Sequence, residues 1–135
     1  MKSYDVVIIG GGPAGTSAAL LLAKKGYQVA LLEQARFPRD KVCGEFISPA
    51  ADAIFSELGV LEAIESLDPL RLKGVVVSAY EQSVFHADYP PASETGRQMT
   101  SLSVERMVLD HLMLDRVRQS PVEVKEGFKV TDFLF

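Results

Sequence analysis

The stretch from Gly10 to Gly15 could hold a phosphate group without any basic side chain. It follows the apolar residues 6–9 and reads Gly10-Gly11-Gly12-Pro13-Ala14-Gly15, which fits the pattern G-x-G-x-x-G. In this pattern Gly10 permits a tight turn, Gly12 lets the backbone approach a diphosphate, and Gly15 lets the next helix pack closely against a strand. The free amides and positive dipole end of that helix then favour the phosphate charge. The motif predicts a diphosphate-binding turn.

An acidic residue further along the chain strengthens this interpretation. Glu33 lies 23 positions after Gly10, at the end of a second apolar run. A carboxylate at that place can accept hydrogen bonds from the ribose hydroxyls of an adenosine, and it would repel the 2′-phosphate of NADP. A glycine turn of purely structural purpose is the alternative for the motif alone. The match continues through Ala19, Gly26 and Val29, which favours dinucleotide binding.

A βαβ unit must position these residues. The sequence predicts a buried strand over Tyr4–Ile9 and a helix over Ala14–Lys25 that ends at Gly26. A second strand is predicted over Gln28–Glu33. Such a crossover is right-handed. We therefore expect an α/β fold with a parallel sheet, in which the first strand lies between the second strand and later partners. The cofactor would bind at the carboxyl ends of the strands.

Two further helices are predicted downstream. Ser48 is expected to cap a helix that begins at Pro49 and ends at Leu58, with another turn over Leu61–Leu67. Ser103 is expected to cap a third main helix that ends before Pro121. Its apolar face is predicted to comprise Val104, Met107, Val108 and Leu112. Its polar positions are predicted to include Glu105, Asp110 and Arg116.

An antiparallel hairpin is predicted between these helices. Two β-rich runs, Val75–Tyr80 and Val84–Tyr89, are separated by Glu81, Gln82 and Ser83. A polar loop follows over Pro90–Gly96. The chain then closes with two predicted strands on either side of Gly127, over Val122–Lys125 and Phe128–Phe135.

Composition narrows the class of protein. The 135 residues suffice for one domain, and 47% apolar with 24% charged residues is ordinary for a globular chain. The net charge of -4 and the lack of a basic stripe argue against nucleic-acid partners. No apolar run is long enough for a transmembrane segment, and no Cys/His cluster predicts a metal site. The single cysteine, Cys43, fits a reducing, cytoplasmic location.

The residues after Glu33 carry a resemblance to a known group of enzymes. The chain up to Glu33 resembles the N-terminus of FAD-dependent oxidoreductases of the glutathione reductase and hydroxybenzoate hydroxylase type. The run from Phe37 to Glu45, followed by Ile47-Ser48-Pro49, narrows this to the geranylgeranyl reductase family and the related flavin-dependent halogenases and monooxygenases. Later positions that resemble the same group are Arg106, Asp110, Leu112 and the segment Val122–Val130.

The resemblance implies further cofactor contacts. Arg36 would lie near the adenosine or the diphosphate, and Arg106 near the linker phosphates and ribityl chain, although both could be ordinary surface arginines. Cys43 and Gly44 would run along the flavin side, where a glycine permits close approach, although Gly44 could serve only a turn. Val130 would offer its backbone to the adenine edge or act only as a strand residue. No catalytic residue is assigned, since the flavin carries the redox chemistry.

The leading hypothesis is therefore an FAD-binding, Rossmann-like domain over residues 1–135, with an inserted β-hairpin. The resemblance implies a flavin-dependent oxidoreductase that acts on a small-molecule or isoprenoid substrate, with NAD(P)H as a candidate electron donor. The resembled families carry further sequence, including a Gly-Asp flavin-contact motif and a substrate domain, so we expect an N-terminal portion. The alternatives are a non-catalytic ADP- or FAD-binding fragment and an NAD-dependent dehydrogenase domain. The oligomeric state is left open.

Overall fold

The order of elements in the computed structural model follows the predicted alternation of strands and helices. The structure describes residues 2–80 and 83–134, with only the backbone of Ser83. The strands are β1 (Val6–Ile9), β2 (Val29–Glu33), β3 (Phe46–Ile47), β4 (Leu70–Leu72), β5 (Gly74–Ala79), β6 (Ser83–Asp88), β7 (Ser101–Ser103) and β8 (Glu123–Glu126). The helices are α1 (Pro13–Lys24), α2 (Ala51–Leu58), α3 (Leu61–Glu65) and α4 (Arg106–Arg118).

The main sheet is parallel and has the order β1-β2-β8. Val6 pairs with Val29 at one end of the β1–β2 ladder, and Ala30 pairs with Glu123 at the start of the β2–β8 ladder. Within the described residues β2 is the central strand, so the expectation that the first strand would be central was wrong. The reason is that α4 packs against α1, which brings the following strand to the free edge of β2. Leu31, in the middle of β2, is fully buried as a result.

The predicted βαβ unit is present with nearly the predicted bounds. Helix α1 connects β1 to β2, and it ends just before Gly26, whose φ of +89° suits glycine. Its buried residues Ala19 and Leu20 face the hydrophobic core that α1 shares with β2 and α4. The crossover therefore places the start of α1 directly after the end of β1, where the glycine motif lies.

The N-terminal caps of the two later helices differ from the prediction. Helix α2 begins two residues later than predicted, because residues 48–52 form hydrogen-bonded turns and Ala50 occupies the cap position. Ser103 does not cap α4, since it is the last residue of β7 and Glu105 occupies the cap position. In the part of the chain that the structure describes, no side chain caps either helix, so their positions depend on packing rather than on local capping.

The buried face of α4 also differs from the prediction. Met107, expected in the apolar face, is 41% exposed. The buried positions of the helix are instead Leu109, Asp110, Met113, Leu114 and Val117. Asp110, predicted to be one of the polar positions, is fully buried. The physical reason is that α4 packs against α1, and the buried row 109–113–117 recurs at the helical spacing of four residues.

Two smaller sheets lie outside the parallel sheet. Strands β3, β7 and β4 form an antiparallel sheet in that order, which the sequence analysis missed because these strands have two or three residues each. Strands β5 and β6 form the predicted antiparallel hairpin. The predicted turn residues Glu81 and Gln82 lie outside the described residues, whereas Ser83 begins β6.

The last predicted strand is not formed over residues 128–134, and Phe135 lies outside the described residues. No strand in the described part of the chain pairs with this segment, and a strand needs a ladder partner for its backbone groups. Its beginning is tied to the end of β2 through a hydrogen bond of 2.9 Å from the Phe128 amide to the Glu33 carbonyl. Among the described helices, none combines the length and the apolar character needed to cross a bilayer.

Candidate cofactor-binding site

The glycine loop, residues 10–15, makes the sharp connection between β1 and α1. Gly10 has a φ of +106°, a conformation that disfavours side chains. A Cβ on Gly15 would lie 1.9 Å from the carbonyl oxygen of Gly10, which is backbone and cannot move aside. Gly15 is therefore required for α1 to start this close to the end of β1.

The first turn of α1 presents no competing group to an anion. Gly12 occupies the cap position and Pro13 the first helical position, and no side chain of the described residues caps the helix. The first turn contains no acidic residue. The hydroxyl of Thr16 donates towards the carbonyls of Gly12 and Pro13, at 2.9 and 3.2 Å. The backbone amides at the positive end of α1, including that of Ala14, are therefore not occupied by a capping side chain of the described residues.

Glu33, the last residue of β2, is 5% exposed, and its carboxylate lies against the glycine loop. One carboxylate oxygen accepts a hydrogen bond of 2.6 Å from the Gly11 amide, and the other accepts one of 2.8 Å from the Ala35 amide. Each carboxylate oxygen can accept more than one hydrogen bond, so acceptor capacity remains after these two bonds. The ends of β1 and β2 therefore bring the glycine loop and the predicted ribose acid together.

Two arginines approach the same loop. Arg106, the first residue of α4, donates to both carboxylate oxygens of Asp110, at 2.8 and 3.0 Å. These hydrogen bonds raise the pKa of Arg106 above its ordinary value. Arg39 makes ion pairs with Asp110, at 3.3 Å, and with Glu33, at 4.0 Å. The Nη2 atoms of Arg39 and Arg106 lie 3.7 and 3.8 Å from the place that a Cβ on Gly12 would occupy.

Cys43 joins this group through Arg106. A backbone hydrogen bond from Glu45, and then a side-chain hydrogen bond from Arg106, lower the pKa of the exposed Cys43 thiol. Cys43 and Arg106 also line a cavity of about 480 Å³ that extends from the first turn of α1 to α2. Gly44 is exposed, with open space where a Cβ would be. The part of the chain after Arg39 thus returns to the start of α1.

Two predicted site residues lie elsewhere. Arg36 is exposed, and its guanidinium lies 3.4 Å from the place that a Cβ on Gly127 would occupy. Val130 is half-buried in the segment after β8. Among the described residues, no hydrogen bond or ion pair joins either side chain to the glycine loop. Arg36 follows Ala35, whose carbonyl accepts a hydrogen bond of 3.1 Å from the Gly127 amide, and Val130 follows Gly127 by three residues.

Sequence reasoning missed Arg39 and Asp110 as site residues. Both belong to segments that carried the family resemblance, but neither was assigned a contact. Asp110 stands four residues after Arg106, the spacing at which opposite charges meet on a helix, and this signal could have identified the pair. Arg39 could not be placed from spacing alone, because the loop after β2 has no periodicity.

The arrangement can hold a diphosphate that is attached to a ribose. An uncapped helix start and two guanidiniums supply positive charge, Gly12 leaves space for close approach, and the Glu33 carboxylate supplies acceptors at the neighbouring strand end.

A larger cavity, of about 580 Å³, lies between α3 and α4, but no predicted site residue lines it. The fold and the site together define a dinucleotide-binding domain of the Rossmann type.

The chain belongs to the FAD binding domain family, which matches residues 3–134. It is 31% identical over 140 residues to a tryptophan 2-halogenase of Chondromyces crocatus, covering 99% of this chain and 24% of the relative. It is 33% identical to a menaquinone reductase of Mycolicibacterium smegmatis, covering 95% of this chain and 30% of the relative. The crystal structure of CmlS, a flavin-dependent halogenase, superimposes with a TM-score of 0.85 at 32% identity, covering 98% of this chain and 24% of that chain.

These similarities confirm the main sequence-based prediction. The chain is an FAD-binding domain of the type found in flavin-dependent halogenases and in a menaquinone reductase, which are enzymes, and its cofactor is FAD. They support this prediction rather than the NAD-dependent alternative. The chain spans roughly a quarter to three tenths of the length of these relatives.

Proposed function

We propose that the glycine loop and its neighbours bind FAD in this chain, and that a flavin-dependent oxidoreductase uses the domain to hold its cofactor. The observation that carries the proposal is the convergence of the uncapped start of α1, Glu33 and two guanidiniums on one edge of the parallel sheet. This edge is formed by the carboxyl ends of the strands, where ligands of open α/β sheets bind.

In this proposal the diphosphate of FAD lies against Gly10, Gly12, Pro13, Ala14 and Gly15. The close packing at Gly15 fixes the direction of α1, and the missing side chain at Gly12 leaves the backbone accessible. Arg106 and Arg39 would add charge-assisted hydrogen bonds, because their Nη2 atoms lie beside Gly12. The helix dipole and the guanidiniums then act on the same pair of phosphates.

The adenosine and flavin ends are proposed to lie on opposite sides of this diphosphate. Glu33 would accept the ribose hydroxyls, and Arg36 and Val130 would lie at the adenosine side, since both follow the strand ends beside Glu33. Cys43 and Gly44 would lie at the flavin side, where Cys43 lines a cavity together with Arg106. FAD supplies redox chemistry when bound, and the residues of this chain bind and orient it.

The activity of the whole protein is part of the proposal. We propose a small-molecule substrate, with halogenation, hydroxylation and reduction of an isoprenoid double bond as candidate reactions. NAD(P)H is the proposed electron donor, and residues 1–135 are proposed to act with a separate substrate domain. A cytoplasmic location is proposed because the free, exposed thiol of Cys43 fits a reducing compartment.

Titration with FAD tests the cofactor assignment. The purified chain is titrated with FAD and with ADP, with flavin absorbance and calorimetry as readouts, and Glu33→Gln is compared with wild type. We expect wild type to bind both ligands and the variant to bind both about tenfold more weakly or worse, because a neutral amide accepts ribose hydroxyls less strongly than a carboxylate. Glu94→Gln, in an exposed loop, is the matched control. Equal affinities of the two variants would remove Glu33 from the site, and a wild-type chain that binds neither ligand would contradict the proposed function.

A further inference from the structure

Asp110 is a charged residue in the hydrophobic core, and the packing of α4 alone does not explain it. Its side chain is fully buried, and Leu109 and Met113 beside it on the helix are buried apolar residues. A buried carboxylate loses its hydration, so it is tolerated only when charged or polar partners replace the water. Here the partners are Arg106 and Arg39.

The contacts of Asp110 fix the orientation of both guanidiniums. Arg106 binds it in a bidentate manner, through Nε at 2.8 Å and Nη2 at 3.0 Å. Arg39 approaches with Nη2 at 3.3 Å from the oxygen that also accepts the Arg106 Nη2 bond. A bidentate pair holds the plane of a guanidinium as well as its position.

Arg39 is held from other sides too, and it retains an unused donor. Its guanidinium lies 4.7 Å from the centre of the Phe37 ring and 4.0 Å from Glu33. Its Nη1 is buried and has no hydrogen-bond partner within the part of the chain that the structure describes. The atom of Arg39 that lies beside Gly12 is Nη2, at 3.7 Å from the place that a Cβ on Gly12 would occupy, so this nitrogen is the one that a ligand at the start of α1 would meet.

We propose that Asp110 is a positioning residue for the cofactor diphosphate. It would hold the guanidiniums of Arg39 and Arg106 beside Gly12 before the ligand arrives, so that binding does not have to order two long side chains. Asp110 itself does not touch the ligand in this proposal. The inference rests on the proposed function, because it assigns a role within the same diphosphate site.

The direction in which Asp110→Asn changes the affinity for ADP and FAD distinguishes positioning of the guanidiniums from simple attraction of the phosphates. The substitution Asp110→Asn removes a negative charge and makes the cluster of Asp110, Arg39 and Arg106 more positive by one unit. If attraction alone governed binding, ADP and FAD would bind more tightly to the variant. If Asp110 acts by positioning, both would bind more weakly, because the guanidiniums lose the carboxylate that holds them.

The experiment compares ADP, FAD and adenosine on the full chain and on Asp110→Asn, with calorimetry for the nucleotides and NMR titration for adenosine. We expect ADP and FAD to bind about tenfold more weakly or worse, as when one partner of a buried charge pair is removed, and adenosine to bind as in wild type. Asp115→Asn is the matched control, since Asp115 lies on the same helix and pairs with Arg118 outside the site. Unchanged or tighter ADP binding, or an equal loss for adenosine, would overturn the proposal.

Two charge-conserving variants keep the proposal testable if Asp110→Asn does not fold. Arg106→Lys and Arg39→Lys retain the positive charge, but an ammonium cannot reproduce the bidentate contact or the planar fork. We expect each to weaken ADP binding about tenfold without changing adenosine binding. Wild-type affinity for ADP in both variants would show that orientation by Asp110 is not needed. Failure of wild type to bind FAD or ADP would instead refute the proposed function, and this inference with it.

Discussion

At the scale of single residues, Glu33 serves both the fold and the proposed site. Its carboxylate accepts the amides of Gly11 and Ala35, so it ties the glycine loop to the end of β2 before any ligand binds. Hydrogen bonds of this kind, with an ionised acceptor, are stronger than those between neutral groups. The same bonds hold the carboxylate in place for a ribose, so its orientation does not depend on the ligand.

The flavin-side assignment of Gly44 is testable because the folded chain leaves room for a side chain there. A Cβ at this position would meet no atom of the described residues within 4 Å, and its φ lies outside the range that excludes side chains. We expect Gly44→Ala to keep the wild-type melting temperature and ADP affinity but to bind FAD more weakly, because the added methyl group would occupy space needed by the flavin half. Circular dichroism and calorimetry give the three values. If Gly44→Ala and wild type bind FAD with equal affinity, Gly44 is not part of the flavin-binding site.

Glu123 provides a pH-dependent prediction at the edge of β8. A hydrogen bond of 2.7 Å from Lys2, and then one from Tyr4, lower the pKa of Glu123 to about 2 from 4.5. Because the pKa is lowered on folding, the stabilisation is fully present above pH 4.5 and is lost as the pH falls towards 2.

We expect the melting temperature of wild type to fall more than that of Glu123→Gln between pH 4.5 and 2, with a small difference because the pair is exposed. Thermal unfolding followed by circular dichroism at a series of pH values measures this difference. Glu94→Gln should follow the wild-type curve. Parallel curves for wild type and Glu123→Gln would show that Glu123 is not held by these partners in solution.

At the scale of elements, the site depends on how closely α1 starts behind β1. Gly15→Ala places a methyl group 1.9 Å from the Gly10 carbonyl oxygen, so the helix must move away from the strand end. We expect a loss of about 1–3 kcal/mol of stability, the usual effect of overpacking, together with weaker ADP binding. Urea unfolding and calorimetry measure the two effects. Gly44→Ala is the matched control for stability, and a Gly15→Ala variant as stable as this control would contradict the observed packing.

The elements that sequence reasoning placed correctly are those with strong local signals. The glycine motif, the helical spacing up to Leu22 and the stop at Gly26 fixed α1 and its neighbours to within one or two residues. Strand β7 has three residues, too few for a pattern of alternation. The buried face of α4 depends on the position of α1 against it, which no local pattern contains.

The residues of the candidate site that could be predicted from the sequence are likewise those with a strong local signal. The loop and Glu33 follow from a motif with fixed spacing, and the structure brings them within a hydrogen bond of 2.6 Å. The sequence pattern predicts Asp110 as a polar position of α4, and a charged side chain is rarely fully buried unless it is paired. Its partner Arg39 is 71 residues away along the chain, and only the folded arrangement reveals that pair.

At the scale of the whole molecule, four chain segments converge at one edge of the parallel sheet. β1 ends before Gly10, β2 ends at Glu33, α1 begins after Gly12, and α4 begins at Arg106. Residues from all four are joined by hydrogen bonds, ion pairs or close packing, so the site is assembled by the core of the domain. Sites on rigid elements hold their groups more accurately than sites on free loops.

The β5–β6 hairpin stands apart from this core, and its local stability should differ accordingly. It forms a sheet of its own, and the neighbouring residues Val76 and Val77, on opposite faces, are 64% and 57% exposed. An isolated two-stranded hairpin is only marginally stable in water. In contrast, β2 has a partner on each side and Leu31 is fully buried.

We therefore expect amides of the hairpin to exchange with deuterium much faster than those of β2, because local opening of the hairpin exposes little additional apolar surface. Hydrogen exchange followed by mass spectrometry measures this, with peptides from Gly74–Ala79 compared with peptides from Val29–Glu33. Peptides that contain Met113 in the middle of α4 serve as a second protected reference, since this residue is fully buried. Protection of the hairpin at the level of β2 would contradict the prediction. Repeating the measurement at lower protein concentration then decides whether self-association supplies that protection, because only contacts between copies weaken on dilution.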